Sequence, residues 1–164
     1  MRDTQAAGTS AALDETYGEI GIAVSTYNAN ITEKILEGAV DTLISAGLPR
    51  EALRIVRVPG AWELPLAAKW LSESDRIAGV ITLGAVIRGE TSHDEHINRA
   101  VSLALMELMQ SSGKPIAFGL LTCNTLDQAV QRAGGKVGNK GEEAAQALVA
   151  MLALRRSIGE RSCA

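Results

Sequence analysis

The sequence predicts a three-layer α/β/α sandwich around a four-stranded parallel sheet. Four short apolar segments alternate along the chain with longer segments in which apolar residues recur at helical spacing. Strands that alternate with helices form parallel sheets through right-handed crossovers, which place helices on both faces. Gly47, Gly113 and Pro115 end two of the helical segments and separate them from the strands that follow.

Each predicted strand is a short apolar run, as expected for a strand that helices cover on both faces of the sheet. Gly79 and Gly84 bound the third run, and we take them as its limits. The predicted strands cover residues 20–24, 53–58, 80–83 and 116–121. A helical segment follows each strand, which favours a flavodoxin-like sheet.

The helices have predicted starts as well as predicted lengths. They cover residues 31–46, 63–72, 92–112, 126–132 and 140–158. Four of them begin near a residue that can accept hydrogen bonds from the first helical amides, with a second polar residue three positions later. These capping pairs are Asn30 with Glu33, Thr91 with Asp94, Thr125 with Gln128, and Asn139 with Glu142.

Length and composition fit one compact domain with a substantial core. The chain has 164 residues, of which 46% are hydrophobic and 21% charged, and its net charge is -3. We therefore expect no broad basic face for nucleic acid. No apolar run approaches the roughly 20 residues that span a bilayer, so we expect no membrane partner and a cytoplasmic location.

We expect a domain at residues 18–158, preceded by an N-terminal arm at 1–17 and followed by a tail at 159–164. The arm has too little apolar content to anchor itself in the core, and its first ten or so residues are expected to be disordered. Cys123 and Cys163 form neither a disulfide framework nor a zinc pattern. Cys123 is expected to be a small buried filler. We expect no metal and no organic cofactor.

Residues 84–93 carry an apolar strand into a glycine turn, a helix start and a histidine. Unpaired backbone N–H groups around Gly89 and Ser92 would attract phosphate, with Arg88 adding positive charge. An imidazole at His93 could exchange protons near neutral pH beside such an anion. A histidine in the first turn of a helix is also common on solvated surfaces, and that alternative stays open at this point.

Residues 131–141 concentrate three cations and four glycines in eleven positions. Glycines let the backbone approach a ligand closely, and Arg132 can grip a phosphate through two parallel N–H donors. A helix end followed by a solvated loop is the alternative interpretation. All these motifs follow predicted strand ends, where ligands bind in open α/β sheets, so they indicate one active edge.

Together with residues 58–65, these segments resemble the lumazine synthase family of the riboflavin pathway. The resemblance runs from about residue 21 to residue 151 and rests on six ordered motifs. The motifs are Tyr27-Asn28, Val58 to Pro65, Gly84 to His93, Phe118 to Thr122, Asp127 to Ala129, and Arg132 to Gly141.

The resemblance implies condensation of 5-amino-6-(D-ribitylamino)uracil with 3,4-dihydroxy-2-butanone 4-phosphate to 6,7-dimethyl-8-ribityllumazine, with loss of phosphate and water. It implies that His93 moves protons and that Arg132 clamps the phosphate, supported by Glu143. The phosphate turn would comprise Gly89, Glu90 and Thr91. The implied residues for the pyrimidine and ribityl groups are Tyr27, Asn28, Ala61, Trp62, Glu63, Ala85, Val86, Ile87, Phe118 and Lys140.

Interpretations without a functional role remain open for three of these residues. Tyr27 could be a half-buried core tyrosine, Glu63 could cap a helix, and Glu143 could be a surface charge. The chain also departs from the family after the histidine, where Asp94, Glu95 and His96 replace an aromatic, an acid and another aromatic. That departure slightly favours an alternative function, a non-catalytic lumazine-binding or flavin-binding protein or a shell-forming homologue. Retention of His93, Arg132, Glu63 and Lys140 together favours the enzyme more strongly.

The family contributes Phe118, Arg132 and Lys140 from an adjacent subunit, so the resemblance implies a homopentamer with intersubunit active sites. The compact turn at residues 134–141 resembles the members that build an icosahedral sixty-subunit shell. Association with riboflavin synthase is a further expected partnership. The segment 12–17 would add to a neighbouring subunit's sheet.

Overall fold

A computed structural model describes residues 13–161 and contains the predicted four-stranded parallel sheet. Its strands are β1 (Glu19–Ser25), β2 (Leu53–Val58), β3 (Ile77–Ile87) and β4 (Ile116–Cys123), in the order β2-β1-β3-β4. Every neighbouring pair is parallel. The expectations for residues 1–12 and for Cys163 lie outside the described residues.

Five helices flank the sheet, and all five match predicted helices. They are α1 (Ala29–Ser45), α2 (Leu64–Ser72), α3 (His93–Ser112), α4 (Leu126–Gln131) and α5 (Lys140–Arg161). Short 3-10 turns occur at Glu15–Tyr17, Arg50–Ala52 and Ala61–Glu63. Within residues 13–161, no helix combines the length and apolar character that crossing a membrane requires.

The sheet separates two apolar cores, which makes the molecule a three-layer α/β/α sandwich. One core joins β1 and β3 to α1 and α5 through residues such as Ile22, Ile35 and Leu148. The other joins the opposite face to α2 and α3, with Leu64 and Val101 among its buried members. Burial on both faces explains why the strands consist of apolar runs without polar alternation.

β3 is longer than the predicted strand because its two glycines do not interrupt it. A Cβ on Gly79 would come within 2.9 Å of Leu148, and one on Gly84 within 2.6 Å of Leu120. Glycine is needed here for close packing of neighbouring side chains, so it marks a tight approach within the strand. The limits taken from Gly79 and Gly84 were therefore wrong.

Two of the four predicted helix caps form. The Thr125 hydroxyl accepts a hydrogen bond from the amide of Gln128 at 3.2 Å, and Asn139 Oδ1 accepts from Gly141 N at 2.8 Å. The other two predictions were wrong. α1 begins after Asn28, two positions before the expected cap Asn30, and α3 begins after Ser92, one position beyond the expected cap Thr91; neither helix has a side-chain cap hydrogen bond.

The segment before β1 contacts its own chain. Leu13 is only 2% exposed, and its amide donates to the carbonyl of Ala46 at 2.6 Å. Tyr17 packs against the same core, with the Arg156 guanidinium 4.9 Å from its ring centre. The expectation that this segment lacks enough apolar content to anchor itself was therefore wrong for residues 13–17, since Leu13 alone fills a site against the end of α1.

The glycine-rich segment forms a small antiparallel hairpin made of β5 (Ala133–Gly135) and β6 (Gly138–Asn139). Gly134 and Gly138 have φ angles of 99° and 100°, a conformation that favours glycine. The hairpin is tied to α1, because Asn139 Nδ2 donates to the carbonyl of Lys34 at 3.0 Å. This contact fixes where α5 begins.

At the start of α5, the two helices approach closely. A Cβ on Gly141 would lie 1.7 Å from the carbonyl oxygen of Ile35 in α1, and one on Gly38 would lie 2.5 Å from the Asn139 side chain. Backbone atoms cannot move aside as a flexible side chain can. The absence of side chains at these two positions therefore sets the spacing between α1 and α5.

We predict that Gly141→Ala lowers the free energy of unfolding by about 3 kcal/mol, because the added methyl group overlaps backbone. Gly159→Ala is the matched control in the same helix, since a Cβ there meets no atom within 4 Å. It should raise the free energy of unfolding by about 1 kcal/mol through helix propensity. Urea denaturation measures both, and similar effects of the two substitutions would contradict the close approach.

Asn28 connects the end of β1 to the end of β3. It has a left-handed backbone conformation with φ 59°, and it is the non-glycine residue with positive φ among residues 13–161. Its side-chain amide Nδ2 donates to the carbonyl of Ala85 at 3.0 Å. Asparagine tolerates this conformation better than most residues, so one side chain serves both the turn and the link.

We predict that Asn28→Gly lowers the free energy of unfolding by about 1 kcal/mol, because it removes only the hydrogen bond. Asn28→Ala should cost about 2 kcal/mol, because it also puts a Cβ into the left-handed conformation without the side-chain amide. Denaturant titration of both variants tests this order. Equal losses would show that the backbone conformation contributes nothing.

Candidate active site

A cavity of about 460 Å³ opens at the carboxyl ends of β1, β2 and β3. Loops after these three strands and the first turns of α3 surround it, as expected for ligand sites in parallel sheets. Its lining residues are Tyr27, Gly60, Ala61, Trp62, Ala85, Val86, Ile87, Gly89, Thr91, His93, Asp94 and Ile97. The structure therefore brings together nine of the sequence-predicted site residues in one place.

Tyr27 presents its ring to this cavity. It follows β1, and its amide donates to the carbonyl of Pro59 at 3.1 Å, which joins the loops after β1 and β2. The residue is 72% exposed, so the interpretation as a half-buried core tyrosine is excluded for the single chain. An exposed aromatic ring at a cavity mouth can stack on a planar ligand.

Ala61 and Trp62 form the next wall. Their 3-10 turn is held by Glu63, whose carboxylate Oε2 accepts from the amide of Gly60 at 2.9 Å. Trp62 is 60% exposed, whereas Ala61 is buried. Glu63 itself does not line the cavity, so in this chain its carboxylate orders the turn as the capping alternative expected.

The end of β3 forms the floor of the cavity. Ala85, Val86 and Ile87 pair with residues 121–123 of β4, and Ala85 is 3% exposed. Beyond the strand, the amide of Arg88 donates to the carbonyl of Cys123 at 2.8 Å. This hydrogen bond fixes the direction in which the chain leaves the sheet, and the loop that follows borders the cavity.

That loop offers hydrogen-bond donors. Within residues 13–161, none of the hydrogen bonds is donated by the backbone amides of residues 89–92. A Cβ on Gly89 would meet nothing within 4 Å, so the backbone there is open to a ligand. Amides at the start of a long helix attract anions through their unpaired donors and the helix dipole. Glu90 is exposed and does not line the cavity.

His93 opens α3 and faces the same cavity as these amides. The residue is exposed, and α3 extends from it for 20 residues. The amide donors on this wall can hold an anion while the imidazole beside them transfers a proton. This shared cavity is what distinguishes His93 from a histidine that only faces solvent.

A second polar cluster lies at the other side of the strand ends. Arg132 Nη2 contacts the two carboxylate oxygens of Glu143 at 3.3 and 3.4 Å, and Lys140 Nζ donates to the same carboxylate at 3.0 Å. All three are partly exposed. They flank the glycine hairpin, which joins α4 to α5. In the single chain, none of the three lines the cavity.

Phe118 also lies away from the cavity. It pairs with Thr82 in the register of β4 and β3, and it is 38% exposed on the edge strand of the sheet. The site residues implied by the resemblance therefore form two groups in this chain. Phe118, Arg132, Lys140 and Glu143 belong to a group separate from the cavity around His93.

Cys123 ends β4 between these groups. It is buried, and burial raises the pKa of its thiol, while the nearby Arg132 charge opposes that shift. A buried thiol with a raised pKa is a poor nucleophile, in agreement with its expected role as a filler. Among residues 13–161, no group of three or more His, Cys, Asp or Glu side chains is arranged to hold a metal ion.

The sequence-based site residues leave out three members of the cavity, namely Gly60, Asp94 and Ile97. Ile97 lies four residues after His93, so helical spacing could have identified it. Gly60 precedes two predicted residues in the same turn. Asp94 does not form the helix cap expected of it, and it lines the cavity next to His93.

Comparison with known proteins shows the family of this chain. The family model described as 6,7-dimethyl-8-ribityllumazine synthase matches residues 18–156. A protein of that name from Rhodopirellula baltica is 54% identical over 141 residues, which are 86% of this chain and 91% of the relative. Another from Syntrophus aciditrophicus is 47% identical over 140 residues, covering 85% and 91%. The chain belongs to the 6,7-dimethyl-8-ribityllumazine synthase family.

Proposed function

We propose that this protein condenses 5-amino-6-(D-ribitylamino)uracil with 3,4-dihydroxy-2-butanone 4-phosphate to form 6,7-dimethyl-8-ribityllumazine in riboflavin biosynthesis. Phosphate and water are released. The observation that carries the proposal is the single cavity shared by an exposed aromatic ring, unpaired amides and His93, in a chain of this family. The reaction needs a planar-ring site, an anion site and a proton carrier together.

The residues divide this work according to their chemistry. Tyr27 stacks on the pyrimidine ring, and the backbone of Ala61 and Trp62, ordered by Glu63, holds the ribityl chain. The amides of Gly89 and its two successors bind phosphate.

His93 then transfers protons during imine formation, phosphate elimination and ring closure. Each of these steps needs a group that exchanges a proton near neutral pH. Asn28 and residues 85–87 shape the floor beneath the ring.

Two adjacent subunits complete each site in this proposal. Phe118, Arg132 and Lys140 lie off the cavity of their own chain, so they can serve the cavity of a neighbour. Helices α3 and α5 expose large apolar side chains that an assembly would cover. These are Leu103, Met106, Met151 and Leu154, each between 46% and 58% exposed. The proposed assembly is a homopentamer.

Assembly of pentamers into an icosahedral shell, association with riboflavin synthase and a cytoplasmic location stay predictions. Sedimentation velocity tests the shell, because particles no larger than a pentamer would exclude it. A non-catalytic lumazine-binding or flavin-binding homologue is the second candidate, because Asp94, Glu95 and His96 depart from the family's pattern after the histidine. Measurement of turnover distinguishes the synthase from this second candidate.

We predict that the wild-type protein forms lumazine and phosphate in equal amounts from the two substrates. His93→Ala should slow turnover by about a hundredfold to ten-thousandfold, the usual contribution of proton transfer by a positioned side chain. Lumazine absorbance and released phosphate are followed in the same sample. Tight lumazine binding without turnover in the wild type would favour the second candidate, and full activity of His93→Ala would remove its role.

We predict that mixed oligomers of His93→Ala and Arg132→Ala regain activity that neither variant has alone. If each site takes His93 from one chain and Arg132 from its neighbour, about a quarter of the sites in a random equal mixture contain both. The variants are refolded together, and His93→Ala refolded alone is the control. Activity equal to the average of the separate variants would place both residues in one chain.

A further inference from the structure

Asp94 is a charged residue in the cavity without a partner. It lines the cavity beside His93, and its Oδ1 atom is buried from solvent and receives no hydrogen bond. Asp94 lies in the first turn of α3 but does not cap it, because the helix begins without a side-chain cap hydrogen bond. Within residues 13–161, none of the ion pairs involves Asp94. One oxygen of its carboxylate, Oδ1, is therefore left without a hydrogen-bond partner in the isolated chain.

Other buried side-chain oxygens also lack partners, but they differ from Asp94. They belong to Ser25, Thr32 and Asn98, which are neutral and do not line the cavity. Burial of an unpaired charged acceptor is much more costly than burial of an unpaired hydroxyl or amide oxygen. Of these four residues, Asp94 is therefore the one whose unpaired buried oxygen is explained by a hydrogen-bond donor on a ligand.

An ionised carboxylate accepts hydrogen bonds and donates none, so its ligand must supply N–H or O–H groups. The phosphorylated substrate carries negative charge, which the carboxylate repels. The pyrimidine substrate carries an amine and ring N–H groups. Of the two substrates in the proposed reaction, the pyrimidine is the one whose charge and donors suit Asp94.

The position of Asp94 narrows the choice among those donors. It is the residue next to His93, and both line the same cavity. The amine at position 5 of the pyrimidine is the group that forms the imine, so it has to lie near the proton carrier. Rotation about the last side-chain torsion of Asp94, which is broad in carboxylates, turns either oxygen towards that amine.

We propose that Asp94 is a specificity-determining residue that accepts a hydrogen bond from the reacting 5-amino group of the pyrimidine substrate and orients it beside His93. This inference rests on the proposed function. It gives the carboxylate two opposite effects. Asp94 lowers the stability of the empty protein and raises its affinity for the amine.

Asp94→Leu tests both effects, and Glu95→Leu is the matched control, an exposed carboxylate one residue away that does not line the cavity. Binding of the pyrimidine substrate is measured by calorimetry with the phosphorylated substrate absent. Asp94→Leu should weaken it by about tenfold to a hundredfold, the loss expected for a hydrogen bond to a charged group. Asp94→Asn, which keeps an acceptor oxygen, should lose less, and Glu95→Leu nothing.

A pyrimidine that lacks the 5-amino group identifies the donor. Wild type should bind it about as weakly as Asp94→Leu binds the full substrate, and Asp94→Leu should no longer distinguish the two ligands. The KM for the phosphorylated substrate should not rise in Asp94→Leu, because the carboxylate that is removed repels this anion. The melting temperature of the ligand-free Asp94→Leu protein should rise, whereas loss of a merely structural residue would lower it.

Equal affinity of wild type and Asp94→Leu for the 5-amino pyrimidine would overturn the proposal. So would a raised KM for the phosphorylated substrate in Asp94→Leu, because Asp94 would then position the basic cluster of an adjacent subunit. Failure of the proposed function gives a different result. If the wild type binds the pyrimidine without turnover and Asp94→Leu loses that binding, the role of Asp94 stands and the synthase activity is excluded.

Discussion

The pairing of β3 with β1 on one edge and with β4 on the other holds the floor of the candidate site and the loops after β1 and β3 in place. β3 is buried on both faces, and its end carries the floor of the cavity. The loop after β1 is tied to it through Asn28 and Ala85, and the loop after β3 is tied to β4 through Arg88 and Cys123. Loops would otherwise be the mobile parts of such a fold. Here the hydrogen bonds to the sheet restrict the backbone of these loops, so that only a few of their side chains can move.

Much of the fold could be predicted because buried strands and helices have recognisable patterns of apolar residues in the sequence. Apolar runs marked all four strands, and helical spacing marked all five helices. Glycine was the main source of error. At Gly79 and Gly84 it permits close packing inside a strand, and at Gly134 and Gly138 it permits a hairpin. Local sequence does not distinguish these uses, because the neighbouring atoms come from distant parts of the chain.

The candidate site could be predicted in part for the same reason. Residues that directly follow a strand, such as Tyr27 and Ala61, were placed correctly at the carboxyl edge, because topology alone puts them there. The division into two groups could not be seen from spacing, since it depends on which way the glycine hairpin directs Arg132 and Lys140. Asp94 was misplaced because a capping pattern and a cavity-facing carboxylate have the same residue spacing.

The trio of Arg132, Lys140 and Glu143 has a consequence for the timing of the proposed reaction. Glu143 keeps two like charges side by side, at 3.0 Å from Lys140 and 3.3 Å from Arg132, while no substrate is bound. In the proposed reaction, an incoming phosphate would replace the carboxylate as counter-ion of the arginine, and the carboxylate would pair with the arginine again when phosphate leaves. Because the exposed pair is weak, this exchange would cost little in either direction. The cluster would then return to its starting state after each turnover without any change of fold.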